Sequence, residues 1–315
     1  MEKREMEKIC VLMTSYNPNK YYIEQVGSIL SQKDVSVDLV IRDDCSTNTE
    51  WLEKTPAANN IMIIRGEKNL GVAQNILALI RYARENRGEY TYYAYSDQDD
   101  VWKADKLITG IQALKNMDMS RPCLYYSNLT VVDKDLKGTS LLFKSGVVKS
   151  TLPQGMAQIF AFACTFVFNK KMVEAILEKP IEFMGFDHLV YYIALIEGNV
   201  CFDDTSHILY RQTGENVSGD KTQGIKRILD RIKNMFNEKE DVARAGGGSF
   251  EEIAKYLLRN FGKELTDHDE QLLRTVSDYR LSIRNKWRLI RNSEIKAGYQ
   301  PKDFYRNMRI VLGKY

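Results

Sequence analysis

The stretch Tyr92-Tyr93-Ala94-Tyr95-Ser96-Asp97-Gln98-Asp99-Asp100 joins an apolar run to an acidic cluster. Its first four residues predict a short buried strand, and the acidic residues predict the loop after it. Three earlier apolar runs also end in polar residues: 9–14 before Tyr16 and Asn17, 37–42 before Asp43 and Asp44, and 61–64 before Asn69. Apolar residues at helical spacing separate these strands. This alternation predicts a mostly parallel α/β sheet flanked by helices.

The polar residues at the strand ends predict a ligand site, because parallel α/β sheets bind ligands at the carboxyl ends of their strands. If the acidic segment is extended, Asp97 and Asp99 point the same way. Two adjacent carboxylates repel unless a cation lies between them, and oxygen ligands suit Mg²⁺ or Mn²⁺. An isolated acidic cluster of this kind is more often a solvated turn. Its position at the end of a sheet strand favours the cation site.

The remainder of the chain predicts further strands near residues 123–132, 158–168 and 200–202, and helices near 170–177 and 187–197. Residues 225–236 read as a basic amphipathic helix. Ser249 with Glu252 predicts a capping box that opens another helix. A helical stripe follows, made of Leu272, Leu273, Val276, Tyr279 and Ile283. We divide the chain into a catalytic domain over residues 1–219 and a basic helical extension over residues 220–315.

Composition excludes several classes of protein. The five cysteines are scattered without a CxxC pair, which argues against a disulfide framework or a zinc knuckle. Three histidines argue against a histidine-rich metal site. The charged N-terminus lacks the apolar core of a secretory signal, and the longest apolar run, residues 159–168, is too short to span a bilayer. We therefore expect a cytoplasmic protein.

The near-neutral total charge hides an asymmetry. Residues 1–220 carry 24 Lys and Arg against 29 Asp and Glu, whereas residues 221–315 carry 21 against 13. All of the basic excess lies in residues 274–315, where aromatic residues are interleaved. Such a segment suits an anionic membrane surface. The alternative is helices that pack on the body or on a second subunit of a homo-oligomer. The chain shows no nucleic-acid-binding motif.

Several candidate site residues also have a structural interpretation. Asp43 and Asp44 could cap a helix or could accept hydrogen bonds from a base or ribose. Asp187 could be an N-cap or a general base. Arg211 could form a surface salt bridge or could bind phosphate.

Taken in order, the motifs resemble a known family. They are Thr-Ser-Tyr-Asn-Pro (14–18), Arg-Asp-Asp-Cys-Ser (42–46), Lys-Asn-Leu-Gly (68–71), Ser-Asp-Gln-Asp-Asp-Val-Trp (96–102), Phe-Asp-His (186–188) and Tyr-Arg-Gln-Thr-Gly (210–214). This series resembles the inverting family 2 glycosyltransferases, and most closely their bacterial rhamnosyltransferase-like branch. The resemblance covers about residues 8–219.

The resemblance implies a GT-A fold, a nucleotide-sugar donor and a divalent cation, Mn²⁺ or Mg²⁺. It implies a DxD pair in which Asp99 binds the metal and Asp97 binds the ribose or metal. It places Asp187 as the catalytic base, and Trp102 as a wall of the sugar pocket or an anchor of its loop. The other residues it assigns to the donor site are Thr14, Tyr16, Asn17, Asp43 or Asp44, Asn69 and Asn75. We add Gln98 and Arg211 to this site.

The implied activity is transfer of a sugar, L-rhamnose from dTDP-rhamnose, to a cell-wall or capsule polysaccharide or to a lipid-linked precursor at the inner face of the membrane. Three positions depart from the branch pattern: Phe186 replaces a histidine, His188 replaces a tryptophan, and Thr213 replaces a histidine. These departures leave two alternatives open. One is a UDP-hexose donor, and the other is a nucleotide-sugar-binding protein without turnover.

Overall fold

The structure is a computed structural model that describes residues 6–86, 90–138, 140–182, 184–212 and 248–315. It forms two compact units. The first comprises Met1–Ser150, Phe160–Ile181 and Leu189–Arg211, and the second comprises Thr151–Ile159, Glu182–His188 and Gln212–Tyr315. The boundary expected at residues 219 and 220 lies outside the described residues, as does the helix expected over 225–236. The division into domains 1–219 and 220–315 therefore stays a prediction.

One mixed sheet forms the centre of the first unit. Its strands lie in the order β3-β2-β1-β4-β8-β6-β9-β5, and β7 pairs with β6. Neighbours among β1 to β4 run parallel, as do β6 and β9, whereas β8, β5 and β7 are antiparallel to their partners. The strands are β1 (Glu7–Ser15), β2 (Val35–Asp43), β3 (Ile61–Arg65), β4 (Tyr92–Ser96), β5 (Val101–Trp102), β6 (Cys123–Val132), β7 (Ser140–Leu141), β8 (Val167–Asn169) and β9 (Asn199–Arg211). The predicted α/β sheet is thus confirmed.

Helices alternate with these strands along the chain. In chain order they are α1 (Tyr22–Leu30), α2 (Glu50–Lys54), α3 (Val72–Asn86), α4 (Lys106–Lys115), α5 (Leu152–Gly155), α6 (Lys170–Glu178) and α7 (Phe186–Ile196). Residues from helices and strands form a continuous core in the first unit, and Val26, Leu107 and Val167 within it are fully buried. Helix α4 lies especially close to β8, because a Cβ added at Gly110 would meet Val167 Cγ2 at 2.5 Å.

The prediction of a strand over residues 158–168 is wrong for most of that range. Only Val167 and Phe168 of that range belong to β8, and a 3₁₀ turn occupies Ala163–Thr165. The N–H groups of Thr165 and Phe166 donate to carbonyls of residues 162 and 163, so they are not available to a neighbouring strand. An apolar run of this length indicates burial, but it does not specify an extended backbone.

The second unit is helical, with α5 and the four C-terminal helices α8 (Phe250–Asn260), α9 (Asp267–Ser277), α10 (Ile283–Arg291) and α11 (Gln300–Leu312). The capping box of Ser249 and Glu252 is confirmed at the start of α8. Tyr315 is buried, with its ring centroid 5.1 Å from that of Phe250 and 5.9 Å from that of Tyr279. The C-terminal residue is therefore part of the core of this unit.

The structure confirms four of the five residues of the predicted apolar stripe as buried, but not Ile283. Leu272, Leu273, Val276 and Tyr279 are buried, but Ile283 is exposed. The reason is that α9 ends at Ser277 and a new helix begins at Ile283, which breaks the helical periodicity. Within the described ranges, no helix combines the length and apolar character needed to cross a bilayer.

Candidate active site

The loops that follow β1, β2 and β4 meet at one edge of the sheet, because these strands run parallel. Ser15 lies opposite Asp43 in the register of β1 with β2, and Met13 lies opposite Ser96 in that of β1 with β4. This is the edge where open α/β sheets bind their ligands. The structure therefore brings together the polar strand ends that the sequence singles out.

Asn17 joins the loop after β1 to the loop after β2. Its φ of 42° is in the left-handed region, which asparagine tolerates better than most residues. Its side-chain oxygen accepts hydrogen bonds from the N–H groups of Thr47 and Asn48 at 2.9 and 3.3 Å, and its own N–H donates to Ser46 Oγ at 2.7 Å. Asn17 thus fixes this pair of loops. The side chain of the neighbouring Tyr16 is 48% exposed to solvent and is therefore accessible to a ligand.

Asp43 and Asp44 are buried and accept hydrogen bonds from the backbone of the surrounding loops. Asp43 Oδ2 accepts from the Ser46 N–H at 3.0 Å. The two oxygens of Asp44 accept from the N–H groups of Leu70 and Gly71, each at 2.9 Å. The structure therefore gives both carboxylates a role in shaping the site, and their predicted contact with a base or ribose stays a prediction.

The two asparagines assigned to the donor pocket differ in exposure. Asn69 is exposed, and its side-chain oxygen accepts a hydrogen bond from the Gly71 N–H at 3.0 Å. Gly71 has φ +76°, the left-handed conformation that glycine adopts without strain. Asn75 is buried in α3 and is hydrogen-bonded to the Arg42 side chain. Asn69 is thus accessible to a ligand, whereas Asn75 supports the pocket through Arg42.

The side chains of Tyr95 and Gln98 connect the acidic loop, residues 97–100, to β1 and to the loop that follows β1. Thr14 Oγ1 is 2.7 Å from Tyr95 Oη, and Tyr95 donates to Asp97 Oδ1 at 3.1 Å. Gln98 forms two hydrogen bonds with the backbone of Tyr16: its Oε1 accepts from the N–H at 3.0 Å, and its Nε2 donates to the carbonyl at 3.3 Å. Four of the residues expected at the donor site are thus linked here, Thr14 to Asp97 through Tyr95 and Tyr16 to Gln98 directly.

Arg211, the last residue of β9, holds the other side of the acidic loop. Its backbone N–H donates to Asp100 Oδ1 at 3.1 Å, and its Nε donates to the Asp99 carbonyl at 2.9 Å. The guanidinium also donates to the Lys134 carbonyl at 2.6 Å and forms an ion pair with Glu24. Since the side chain is buried, the structure shows Arg211 as a support of this loop. Its predicted contact with a donor phosphate stays a prediction.

Three groups near the acidic loop could hold a metal ion. One ligand atom each from Asp97, Asp100 and Cys164 lies within 4.8 Å of the others. Asp100 is fully buried, and its Oδ2 has no hydrogen-bond partner among the described residues. Burial, reinforced by the charges of Asp97 and Asp99, raises the pKa of Asp100 well above its ordinary value. Such repulsion between carboxylates is relieved by a bound cation, so the two carboxylates suit Mn²⁺ or Mg²⁺. Burial also raises the pKa of the Cys164 thiol, and a thiol is not a ligand that these ions prefer.

The acidic segment bends at Gln98 and Asp99 instead of running extended, so the strand alternation that would point Asp97 and Asp99 the same way does not apply. The bend sets Asp100, rather than Asp99, beside Asp97. Burial raises the pKa of Asp99 as well, and the positive charge of Arg211 opposes that shift. A metal role for Asp97 and Asp99 stays a prediction. The sequence motif does not assign Asp100 to the metal, although Asp100 belongs to the same four-residue run.

Trp102 anchors the acidic loop, which is one of the two roles expected for it. It is buried, and its backbone N–H donates to Ser28 Oγ at 3.0 Å. The Lys106 ammonium lies 3.8 Å from the centre of its ring. Burial lowers the pKa of Lys106 to about 7, against the opposing charges of Cys164 and Asp100.

Asp187 belongs to the second unit and lies in the first turn of α7. It is half-buried, and its Oδ1 accepts a hydrogen bond from the His188 N–H at 3.0 Å. Because α7 begins at Phe186, Asp187 is within the helix rather than at its N-cap. Phe186 is buried, so the residue that replaces the expected histidine is a core residue here. Thr213 lies outside the described residues, and Asp187 as catalytic base stays a prediction.

Solved structures share this fold. The chain is similar to S. aureus TarS 1-349 in complex with UDP-GlcNAc, with a TM-score of 0.58 and 17% identity, over 96% of this chain and 81% of that one. It is also similar to the mannosyltransferase PcManGT from Pyrobaculum calidifontis in complex with GDP-Man and Mn²⁺, with a TM-score of 0.50 and 13% identity, over 98% and 80%. These likenesses show a GT-A fold.

Residues 10–175, more than half of the chain, match the family described as Glycosyl transferase family 2. The chain therefore belongs to glycosyl transferase family 2. The dTDP-rhamnosyl transferase RfbG of Shigella flexneri is 28% identical over 271 residues, which cover 81% of this chain and 82% of RfbG. WfgD of Escherichia coli, a UDP-Glc:alpha-D-GlcNAc-diphosphoundecaprenol beta-1,3-glucosyltransferase, is 22% identical over 228 residues, which cover 70% and 84%.

Proposed function

We propose that this chain is an inverting glycosyltransferase that moves L-rhamnose from dTDP-rhamnose to a cell-surface polysaccharide or its lipid-linked precursor. In this proposal it works in the cytoplasm, at the inner face of the cell membrane. The observation that carries the proposal is the similarity to RfbG, a dTDP-rhamnosyl transferase, over 81% of the chain.

The loops at the carboxyl edge of the sheet support binding of a nucleotide sugar. Hydrogen bonds of Asn17, Asp44 and Gln98 fix the loops after β1, β2, β3 and β4 to one another, so the exposed groups on those loops are held in place before a donor arrives. Tyr16 and Asn69 are the exposed side chains we assign to donor contact. Preorganisation of this kind lowers the entropy cost of binding.

The acidic loop supports a divalent cation at the donor diphosphate. Asp97 would hold it, together with Asp99 as the resemblance implies or with Asp100, which lies beside Asp97. The bound cation would offset the negative charge that grows on the leaving nucleoside diphosphate. Arg211 keeps the loop in position through the Asp99 carbonyl and the Asp100 carboxylate.

Asp187 acts in this proposal as the general base. It takes the proton from an acceptor hydroxyl while that oxygen attacks the anomeric carbon. The bond from that carbon to the diphosphate breaks at the same time. A single displacement inverts the anomeric centre and requires one base and no protein nucleophile. Asp187 is a candidate for this base, because its carboxylate is half-buried and therefore accessible to an acceptor hydroxyl.

A donor screen tests the proposal. The purified chain is incubated with Mn²⁺ and one nucleotide sugar at a time, among them dTDP-rhamnose, UDP-glucose and UDP-N-acetylglucosamine, and sugar release or transfer is followed by mass spectrometry. We expect turnover with dTDP-rhamnose. Turnover with a UDP-hexose alone would favour the second candidate, which the similarity to WfgD supports. Tight binding of donors without any transfer or hydrolysis would favour a binding protein.

Asp187→Asn tests the catalytic base separately from donor binding. We expect turnover to fall by about two to four orders of magnitude with donor affinity nearly unchanged, because general base catalysis contributes that much and the amide cannot accept the proton. The matched control is Asp267→Asn, which removes an exposed carboxylate from the first turn of another helix in the same unit. Turnover of the Asp187 variant equal to that of the control would exclude the assignment.

A further inference from the structure

The second unit presents apolar side chains to solvent on its last two helices. On α10, Ile283 is 76% exposed and Trp287 is 53% exposed. On α11, Phe304 is 62% exposed and Val311 is 58% exposed. Each pair shares one helix face, since residues four or seven positions apart point the same way. Both helices therefore carry an outward apolar stripe in addition to the residues that they bury.

The inward sides of these helices already have partners. Leu289 of α10 and Ile310 of α11 are fully buried. The two helices are joined by hydrogen bonds from Lys286 Nζ to the Val311 carbonyl at 2.9 Å and from Arg306 to the Ile290 carbonyl at 3.2 Å. The outward stripes are therefore left over after the unit has formed its own core.

Basic residues flank the outward stripe of α10. Helical spacing places Arg284, Arg288 and Arg291 on the exposed side together with Ile283 and Trp287. This helix contains no acidic residue. Across residues 274–315 the sequence has 11 basic and 3 acidic residues. An apolar stripe beside arginines matches the boundary between lipid head groups and acyl chains.

We propose that the outward face of α10 and α11, which we call the lipid face, docks on a bilayer that contains anionic lipids. The apolar side chains enter the head-group boundary, and Arg284 and Arg288 contact lipid phosphates. The inference rests on the proposed function only for the lipid-linked acceptor that such docking would serve.

Two other occupants fit these observations less well. A symmetric dimer through the lipid face would place its arginines near their own copies, and like charges oppose that contact. A nucleic acid would satisfy the arginines but would leave Phe304 and Val311 in water. A bilayer with anionic lipids satisfies both the charge and the apolar side chains.

Trp287 reports directly on the docking. The chain has three tryptophans, and both Trp51 and Trp102 are buried. The full chain is mixed with phosphatidylcholine vesicles that contain either no or about one third phosphatidylglycerol, and sedimentation and emission are measured without donor. We expect binding and a blue shift with the anionic vesicles alone, weakened by added salt. Both effects are read without sugar transfer, so they can fail independently of the proposed activity.

Paired variants assign the binding to the lipid face. Arg284→Gln with Arg288→Gln should weaken binding about thirtyfold, since each charge near an anionic surface contributes several-fold. Ile283→Ser with Phe304→Ser should weaken it by at least about tenfold. Matched controls in the first unit are Lys33→Gln with Lys54→Gln, and Leu141→Ser with Leu142→Ser, all at exposed positions. We expect these to bind like the unmodified chain.

Three results would overturn the proposal. They are an unchanged Trp287 emission with anionic vesicles, equal binding to neutral vesicles, and equal losses in the lipid-face variants and in the controls. A dimer in light scattering that the lipid-face substitutions dissociate, without vesicle binding, would assign the face to a second copy instead.

Discussion

Arg211→Met should destabilise the first unit and loosen the acidic loop. Methionine retains much of the length of the side chain but donates no hydrogen bond. The substitution removes the bonds to the Asp99 and Lys134 carbonyls and the ion pair with Glu24, while the backbone bond to Asp100 can remain. The acidic loop then keeps the backbone bond between Arg211 and Asp100 but loses the side-chain bond to the Asp99 carbonyl.

The magnitude follows from the burial of each partner. Two hydrogen bonds from a buried guanidinium to carbonyls contribute about 1.5–3 kcal/mol each. The Glu24 carboxylate is about half exposed, so its ion pair adds about 0–1 kcal/mol. The sum is about 3–7 kcal/mol. Partial relaxation of the loop reduces it, and we expect a loss of about 3–5 kcal/mol in the free energy of unfolding.

Urea unfolding followed by the emission of Trp51 and Trp102 measures this loss, because both residues are buried in the first unit. Arg259→Met is the matched control: its guanidinium pairs with Glu182 but both side chains are exposed, so we expect less than about 1 kcal/mol. Arg211→Lys should fall between the two, since lysine retains the charge but lacks the planar fork. A loss below about 1 kcal/mol in Arg211→Met, with Mn²⁺-dependent donor binding unchanged, would refute this account of the loop.

Two further predictions concern stability. Gly110→Ala should lose about 1–2 kcal/mol in urea unfolding, because the added Cβ meets Val167 at 2.5 Å, whereas Gly27→Ala in α1, where nothing lies within 4 Å, should gain up to about 1 kcal/mol from helix propensity. Equal effects of the two would contradict the close approach of α4 and β8. Burial raises the pKa of Asp203, but hydrogen bonds from Thr205, Tyr125 and His207 outweigh it and leave the pKa below the ordinary value. Its stabilisation is therefore full above the unfolded pKa and is lost as the pH falls below about 4, so Asp203→Asn should flatten the acid limb of a stability-against-pH curve.

Local pattern in the sequence predicts the parts of the site that depend on single strands. Apolar runs locate β1, β2 and β4, and the polar residues at their ends locate the carboxyl edge of the sheet. Parallel pairing then brings those ends together without further information. The family motifs add the hypothesis that this edge is a donor site.

The sequence could not predict which side chains hold the loops to one another. Gln98 bonds to a loop 82 positions earlier, and Arg211 to the acidic loop 112 positions earlier. Neither pairing leaves a periodic signal, because each depends on where separate strands end in space. The bend at Gln98 and Asp99 likewise has a distant partner, since Asp100, which lies beside Asp97, accepts a hydrogen bond from the Arg211 N–H 111 positions later.

Residues 274–315, called the tail below, can both pack on their own unit and contact a membrane, so the two alternatives drawn from their composition do not exclude each other. Packing of the helices on their own unit accounts for buried residues such as Val276, Tyr279 and Tyr315. Because each helix has two sides, the same packing leaves Trp287 and Phe304 pointing outward. Deleting the tail would therefore remove the core of the second unit along with the lipid face, and loss of membrane binding would then be uninformative. Only substitutions confined to the outward side separate the two roles, since they leave the buried contacts intact.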